Sequence, residues 1–393
     1  MLRWYQKKAV EKIMWALSLD GNDVVVLPTG SGKSHVIAEV AGRIADNVLI
    51  LQPNKEILEQ NLEKLLQYVP KENIGVYSAS MREKTVRKIT FGTIGTVRNN
   101  PGAFVGVKLV LIDECHLVPI KDMGSMFMSF IKAIGSPKII GLTATPYRMD
   151  VTYRPDGWGG WNTYTTTKII TRTKGLFWRR ILLNVNVEDL IKEGYLCRLK
   201  YYDNSKIGHS EIPTNKSMSD FDLEAYENLL LPYEQGVLQT ISRAQKVSRS
   251  VLVFNSSVAQ AERMAKAING EVVTAKTKAK DRERIIDEFK QGNVKTVFNV
   301  GVLTTGFDHP ALDTIVLLRP TRSIGLYYQM LGRGLRTAPG KEFCRVIDFT
   351  GTVRELGRIE SIRLVRRKKQ ELESNTGSWH NKILYSYHIQ NEN

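Results

Sequence analysis

Apolar residues in the first half of the chain come in short, near-continuous runs: Val24–Leu27, Val48–Leu51, Ile89–Phe91, Leu109–Ile112 and Ile139–Leu142. Between the earlier runs, Ser34–Ile44 and Lys55–Tyr68 carry apolar residues at helical spacing. An amphipathic segment, Ala9–Leu19, precedes them with Val10, Ile13, Met14 and Leu17 on one side. Continuous apolar strands alternating with helices are what a parallel sheet covered on both faces requires. The second half repeats the arrangement, with strand-like runs at Val251–Phe254, Val272–Val273, Val297–Val300, Ile315–Leu318 and Val346–Ile347 and helical stretches at Val258–Ile268 and Asp281–Lys290. The pattern predicts an α/β protein of two doubly wound parallel-sheet domains in tandem, without a close sequence repeat between them. Residues 1–200 form the first domain, with an aromatic and basic insertion at about 147–202. Residues 201–236 read as a polar interdomain connection, 237–355 as the second domain and 356–393 as a basic helical tail.

The length of 393 residues suits two domains of ordinary size. A hydrophobic content of 42% and a charged content of 24% are those of a globular protein, so neither half reads as disordered. A net charge of +16 and a pI near 9.6 change the picture, because such an excess calls for a polyanionic partner. Nucleic acid comes ahead of a membrane surface, since no basic amphipathic helix stands out. Cys115, Cys197 and Cys344 are scattered and form no C-x-x-C pair, which argues against a disulfide framework or a zinc site and for a reducing cytoplasm. No secretory segment or bilayer-length apolar run is present in the sequence.

In open parallel sheets, ligands gather at the carboxyl ends of strands, and the chemistry-bearing motifs sit there. The stretch VVVLPTGSGKSHVI, Val24–Ile37, gives the strand, glycine-rich loop and helix of a phosphate-binding loop, although Leu27 stands where the full pattern has its first glycine. Loop N–H groups would face phosphate, Lys33 would reach the β and γ oxygens, and Ser34 would ligate Mg²⁺. Taken alone, the stretch also fits a Gly-Ser turn before a helix. LVLIDECH ends a buried strand in two carboxylates, of which Asp113 would hold Mg²⁺ and Glu114 would orient and deprotonate water. GLTATP places Thr143 and Thr145 at another strand end. NVGVLTTGFDHP offers Thr304 and Thr305 to a phosphodiester backbone and Asp308 to a ribose. In YYQMLGRGLR, Gln329, Arg333 and Arg336 fall four and three residues apart and share one helix face, either as arginine fingers or as a solvated basic surface. Near the N-terminus, the Gln6 amide has the donor and acceptor that match the edge of adenine. In the stretch from Tyr147 to Tyr202, Trp158, Trp161, Trp178, Arg179 and Arg180 interleave aromatic and basic side chains. That composition serves a single-strand groove, and equally a structured extension whose tryptophans pack.

The ordered series RWYQ, LPTGSGKS, DECH, TATP, TTGFD and QMLGRGLR resembles the superfamily 2 helicases of the DExH group. The spellings LPTGSGKS, VLTTGFD, LLRPT and GRGLRTAPGK look like the RadD family of DNA-repair ATPases over roughly residues 1 to 350. The resemblance implies two RecA-like domains with ATP and Mg²⁺ in the cleft between them and a nucleic-acid strand, DNA ahead of RNA, across both. It implies an ATP-binding set of Arg3, Gln6, Pro28, Thr29, Gly30, Ser31, Gly32, Lys33, Ser34, Gly306 and Asp308, and metal ligation by Ser34 and Asp113. Glu114, Lys33, Gln329, Arg333 and Arg336 would be catalytic, and His116, Thr143 and Thr145 would couple nucleotide state to the strand. RadD proteins carry a Cys-rich zinc region that three scattered cysteines cannot supply. The resemblance is thus to a compact, zinc-free core such as a phage-encoded relative in a bacterial cytoplasm would have. An ATP-dependent DNA helicase or translocase acting in repair, recombination or replication is the expectation, with an RNA helicase or the motor of a restriction-type complex as alternatives.

Overall fold

The computed structural model describes residues 1–118, 125–155, 161–172, 177–304, 306–362 and 364. In the first lobe the strands are β1 (Asn22–Val26), β2 (Val48–Gln52), β3 (Ile74–Ser78), β4 (Glu83–Lys84), β5 (Ile89–Thr93), β6 (Leu109–Asp113) and β7 (Lys138–Thr143). A hairpin follows, of β8 (Tyr147–Pro155) and β9 (Trp161–Ile169), and then β10 (Trp178–Asn184). The main sheet runs β10-β1-β7-β6-β2-β5-β3-β4 and is parallel except for β4. In the second lobe β11 (Arg198–Asp203), β12 (Val251–Asn255), β13 (Glu271–Thr274), β14 (Thr296–Val300), β15 (Thr314–Leu318) and β16 (Phe343–Asp348) form a wholly parallel sheet in the order β11-β16-β15-β12-β14-β13. The two sheets make two RecA-like lobes flanking a cleft, as the alternation of apolar runs and helices predicts.

Both faces of each sheet are buried, which is why the strand residues are apolar without a polar face. Val25, Ile50, Leu111 and Ile140 join one core with the helices Trp4–Ala16, Lys33–Arg43 and Lys55–Leu65, and their neighbours Val24, Leu49, Val110 and Ile139 join another with Phe127, Phe130 and Trp178. Side-chain oxygens start several helices: Asn54 accepts from Ile57 N (3.0 Å), Ser257 from Gln260 N (3.0 Å) and Ser323 from Leu326 N (3.2 Å). The N-terminal helix begins at Trp4, earlier than the apolar spacing indicates, because Gln6 reaches back to the Arg3 amide (2.8 Å).

The domain borders read from the sequence need revision. β11 already belongs to the second sheet, with Tyr201 opposite Val346, so the crossing lies between Asn184 and Arg198. The segment 201–236 is no free connection, because Ile207, Ile212, Phe221, Tyr226 and Leu230 are buried in the second lobe's core. The expected insertion resolves into a hairpin and the edge strand β10. The expected tail lies outside the described residues beyond position 364.

Candidate active site

β1 ends in a loop that only glycine-rich sequence can form. Gly30 and Gly32 have φ of +80° and +82°, and a Cβ at Gly32 would meet Gln6 Nε2 at 2.5 Å. Gly32 is also the N-cap of the helix Lys33–Arg43, so loop and helix N–H groups converge where Lys33 begins. Tyr5 Oη donates to Ser31 O (2.8 Å) and Gln6 Nε2 to the same carbonyl (2.9 Å), which braces the loop from behind. The Gln6 oxygen is taken by Arg3 N, so the amide expected to read adenine holds the loop in this structure. Arg3 lies over the Tyr195 ring, 4.7 Å from its centroid.

Across from the loop, β6 delivers its two carboxylates. Glu114 has φ +48° and ψ +47°, a left-handed conformation that costs a non-glycine residue on the order of 1 kcal/mol. With this turn, Asp113 and Glu114 both line the cleft. Glu114 Oε1 lies 3.5 Å from Lys33 Nζ and Oε2 lies 3.4 Å from His116 Nδ1. Burial and the neighbouring Glu114 push the Asp113 carboxyl up to about 6. Burial also acts to raise Glu114, but the Lys33 and Arg333 cations outweigh it and hold that group below the usual carboxylate range. The carboxylate expected to act as base is therefore ionised at neutral pH.

The helix Ile324–Gly332 and the turn Arg333–Leu335 bring the second lobe to the same place. Gln329 Nε2 lies 3.2 Å from His116 Nε2, Arg333 Nη1 donates to Phe307 O (2.6 Å), and Arg336 pairs with Asp308. An amide N–H can only donate, so His116 accepts at Nε2 and carries its proton on Nδ1, toward Thr143 Oγ1 at 2.9 Å. Burial lowers the His116 pKa, in keeping with this neutral form. Thr145 Oγ1 is 3.3 Å from the same nitrogen. Burial lowers both Arg333 and Arg336 to about 10, which leaves each a cation at neutral pH.

The resulting cleft has a volume of about 560 Å³, and Arg3, Gln6, Thr29–Ser34, Asp113, Glu114, Gly306, Asp308, Arg333 and Arg336 all reach its wall. These residues fit a nucleoside triphosphate with Mg²⁺: a glycine cradle, one lysine and two arginines for phosphate, and a hydroxyl and a carboxylate as hard oxygen ligands. Bound Mg²⁺ would neutralise phosphate charge between Ser34 and Asp113. Pro28 shapes the loop through its carbonyl, which accepts from Ser31 Oγ (2.6 Å). Among the described residues no group of three or more His, Cys, Asp or Glu side chains gathers to hold a metal ion, and no helix is long and apolar enough to cross a membrane.

The basic and aromatic candidates fare differently. Trp178 is fully buried beneath the sheet, edge-on to Phe177 at 4.9 Å, so it cannot stack a base. Arg180 is committed to Asp23, a fully buried carboxylate, with Nε 2.6 Å from Oδ1. Arg179 is exposed, and its side chain packs over Gly21. All three sit opposite the start of β1, the end of the sheet away from the phosphate loop. Thr304 is buried. Trp158 and Thr305 lie outside the described residues, and of Trp161 only the backbone in β9 is described.

Two residues went unnoticed in the sequence. Arg148 donates to the carbonyls of His116 (2.7 Å) and Val118, pinning the chain after the acidic pair. Asn61 bridges Ser34 and Asp113. Its signal was a polar residue on the buried side of an amphipathic helix beside Ile57, Leu58 and Leu65.

Comparison with known proteins agrees with this geometry. The family model "Type III restriction enzyme, res subunit" matches residues 1–148, and "Helicase conserved C-terminal domain" matches residues 235–338. The putative ATP-dependent helicase IRC3 of Saccharomyces cerevisiae is 26% identical over 377 residues, covering 89% of this chain and 52% of that protein. The DNA 3'-5' translocase XPB2 of Sulfurisphaera tokodaii is 25% identical over 94% of this chain and 84% of its own length. A fragment structure of a putative HsdR subunit of a type I restriction enzyme from Vibrio vulnificus superposes with a TM-score of 0.66 at 19% identity, over 91% of this chain and 65% of that one. Saccharomyces cerevisiae Dbp5 bound to RNA and ADP BeF3 superposes with a TM-score of 0.57 at 14% identity, over 90% and 87% of the two chains. The chain spans 52% to 61% of the length of three of the curated relatives it matches. Two lobes, a phosphate loop facing paired acids, and both domain models in this order are the features of the superfamily 2 helicases of the DExH and ResIII type.

Proposed function

We propose that the protein is an ATP-driven motor that tracks or remodels nucleic acid, with DNA as the preferred substrate. The observation that carries this reading is the convergence of Lys33, Ser34, Asp113 and Glu114 from one lobe with Gln329, Arg333 and Arg336 from the other. Lys33 and the loop amides would hold the phosphates, and Ser34 and Asp113 would hold Mg²⁺, which would offset phosphate charge. Glu114, ionised and free to leave Lys33, accepts a proton from water as it attacks the γ-phosphorus and ADP departs. Arg333 and Arg336 supply cations to the charge that develops on the transferring phosphoryl group. Because these arginines belong to the second lobe, hydrolysis depends on closure. The Gln329–His116 contact links closure to Thr143 and Thr145 on the first lobe.

DNA is favoured by the motif spellings shared with the RadD family and by relatives named as DNA translocases and helicases. The excess of +16 supplies the attraction to phosphate. An RNA helicase is the second reading, supported by the superposition on an RNA-bound structure and by an African swine fever virus relative named as an RNA helicase. The motor of a restriction-type complex is a third, suggested by the family model of the first lobe.

The test is steady-state ATP hydrolysis alone and with single-stranded, duplex and forked DNA and matched RNA at two salt concentrations. Stimulation by DNA forms above RNA is expected, and equal or greater stimulation by RNA moves the assignment to the second reading. Glu114→Gln is expected to bind ATP normally and to lose hydrolysis by about 10²-fold or more. Wild-type turnover in that variant would remove Glu114 from the role of base.

A further inference from the structure

The Asn61 side chain stands between the two groups that would hold Mg²⁺. Its Oδ1 accepts from Ser34 Oγ, and its Nδ2 donates to Asp113 Oδ2 at 2.9 Å. It is 3% exposed, lines the cleft, and comes from the helix Lys55–Leu65, outside the phosphate loop and the acidic pair. The same helix meets the second lobe one residue earlier, where Gln60 donates to Gly306 O, and at Glu56, whose Oε1 is 3.4 Å from Arg282 Nη1.

From these contacts we infer that Asn61 is a positioning residue of the metal site, holding the Ser34 hydroxyl and the Asp113 carboxylate in place for Mg²⁺. The inference rests on the ATPase reading above. A carboxamide suits the task because it offers an acceptor to the hydroxyl and a donor to the carboxylate without adding charge. The orienting hydrogen bonds fix which lone pairs face the cleft, as partners behind metal ligands do in general. With Ser34 and Asp113 as metal ligands, the Asn61 carboxamide would remain a hydrogen-bonding partner to both. A helix anchored on the second lobe then ties the metal site to the position of that lobe.

The experiment titrates Mg²⁺ into protein with a fluorescent, non-hydrolysable ATP analogue and reads the Mg²⁺ concentration at half-maximal signal, with the EDTA baseline recorded. Asn61→Ala is expected to raise that concentration about tenfold while leaving the affinity in EDTA within about twofold. Asn61→Asp keeps the volume and adds a carboxylate beside a dication, so it is expected to shift the value the opposite way. Asn61→Ala in an Asp113→Asn background is expected to add less than it does to the wild type, since the part of its effect that acts through Asp113 is already lost and only the Ser34 contact remains to lose. Unchanged Mg²⁺ dependence in both single variants, or an equal loss of affinity in EDTA, would overturn the role of Asn61 alone. Wild-type protein that binds the analogue identically with and without Mg²⁺ would overturn the metal-assisted ATPase reading as well. Unfolding temperature distinguishes a folding defect, which would move Ala and Asp in the same direction.

Discussion

His309 shows how a single buried group sets a pH limit. It is 6% exposed, its Nε2 is 3.0 Å from Ser250 Oγ, and Phe289 packs 5.1 Å away. Burial, with Lys290 and Lys341 nearby and Asp313 opposing them, lowers its pKa from 6.5 to about 4. Between those values the unfolded chain binds a proton that the folded chain refuses. Stability is therefore full above pH 6.5 and falls as the pH drops toward 4, by at most roughly 3 kcal/mol. Urea unfolding of the wild type between pH 7 and 4 is expected to show this loss, and His309→Gln to flatten it. Glu114 and Asp113 make the complementary point. Adjacent in sequence and equally acidic as residues, they differ because Arg333 acts on Glu114 alone, and Lys33, which acts on both, is hydrogen-bonded to Glu114. The residue types and their expected roles were legible in DECH, but the opposite directions of their pKa shifts depend on neighbours from distant segments.

The edge strand β10 carries the largest correction. Its sequence, WRRILLN, reads equally as an aromatic and basic binding stretch or as a packed strand. Pairing with β1 decides the matter by turning Trp178 into the core and Arg180 onto Asp23. Trp178→Ala is expected to cost about 3–5 kcal/mol in denaturant unfolding and to leave single-strand affinity per folded molecule unchanged. Trp178→Phe is expected to cost far less, because it keeps most of the volume and removes an indole N–H that has no partner. A selective loss of binding in Trp178→Phe would restore the groove reading. Elsewhere the elements were largely readable: Val258–Ile268 is helical over the span its apolar spacing indicates. The strand β3, IGVYS, escaped notice because a glycine and a serine interrupt its apolar run.

Assembly of the lobes depends on close approach. A Cβ at Gly332, in the second lobe, would lie 2.8 Å from Thr29 Cβ in the phosphate loop, so only glycine allows this spacing. Gly332→Ala is expected to push the arginine-bearing turn back by a few tenths of an ångström. Hydrolysis should fall about tenfold, since catalytic geometry is sensitive to small misplacements, while nucleotide affinity stays within about threefold. A wild-type rate in this variant would show that the lobes meet differently during turnover. The net charge of +16 belongs to the same level, because it acts through the summed field and predicts a steep decline of nucleic-acid affinity with salt.

Read alone, the sequence determined the α/β class, the tandem sheets, the phosphate loop, the acidic pair and the arginine helix. Each is written locally, in apolar periodicity or in a motif of a few adjacent residues. The tertiary structure alone decided that β11 pairs with β16, that Trp178 faces inward, that Gln6 braces the loop and that Asn61 joins Ser34 to Asp113. Those outcomes depend on which distant segments become neighbours. Periodicity reports that a face is buried, and only the packed chain determines what that face is buried against.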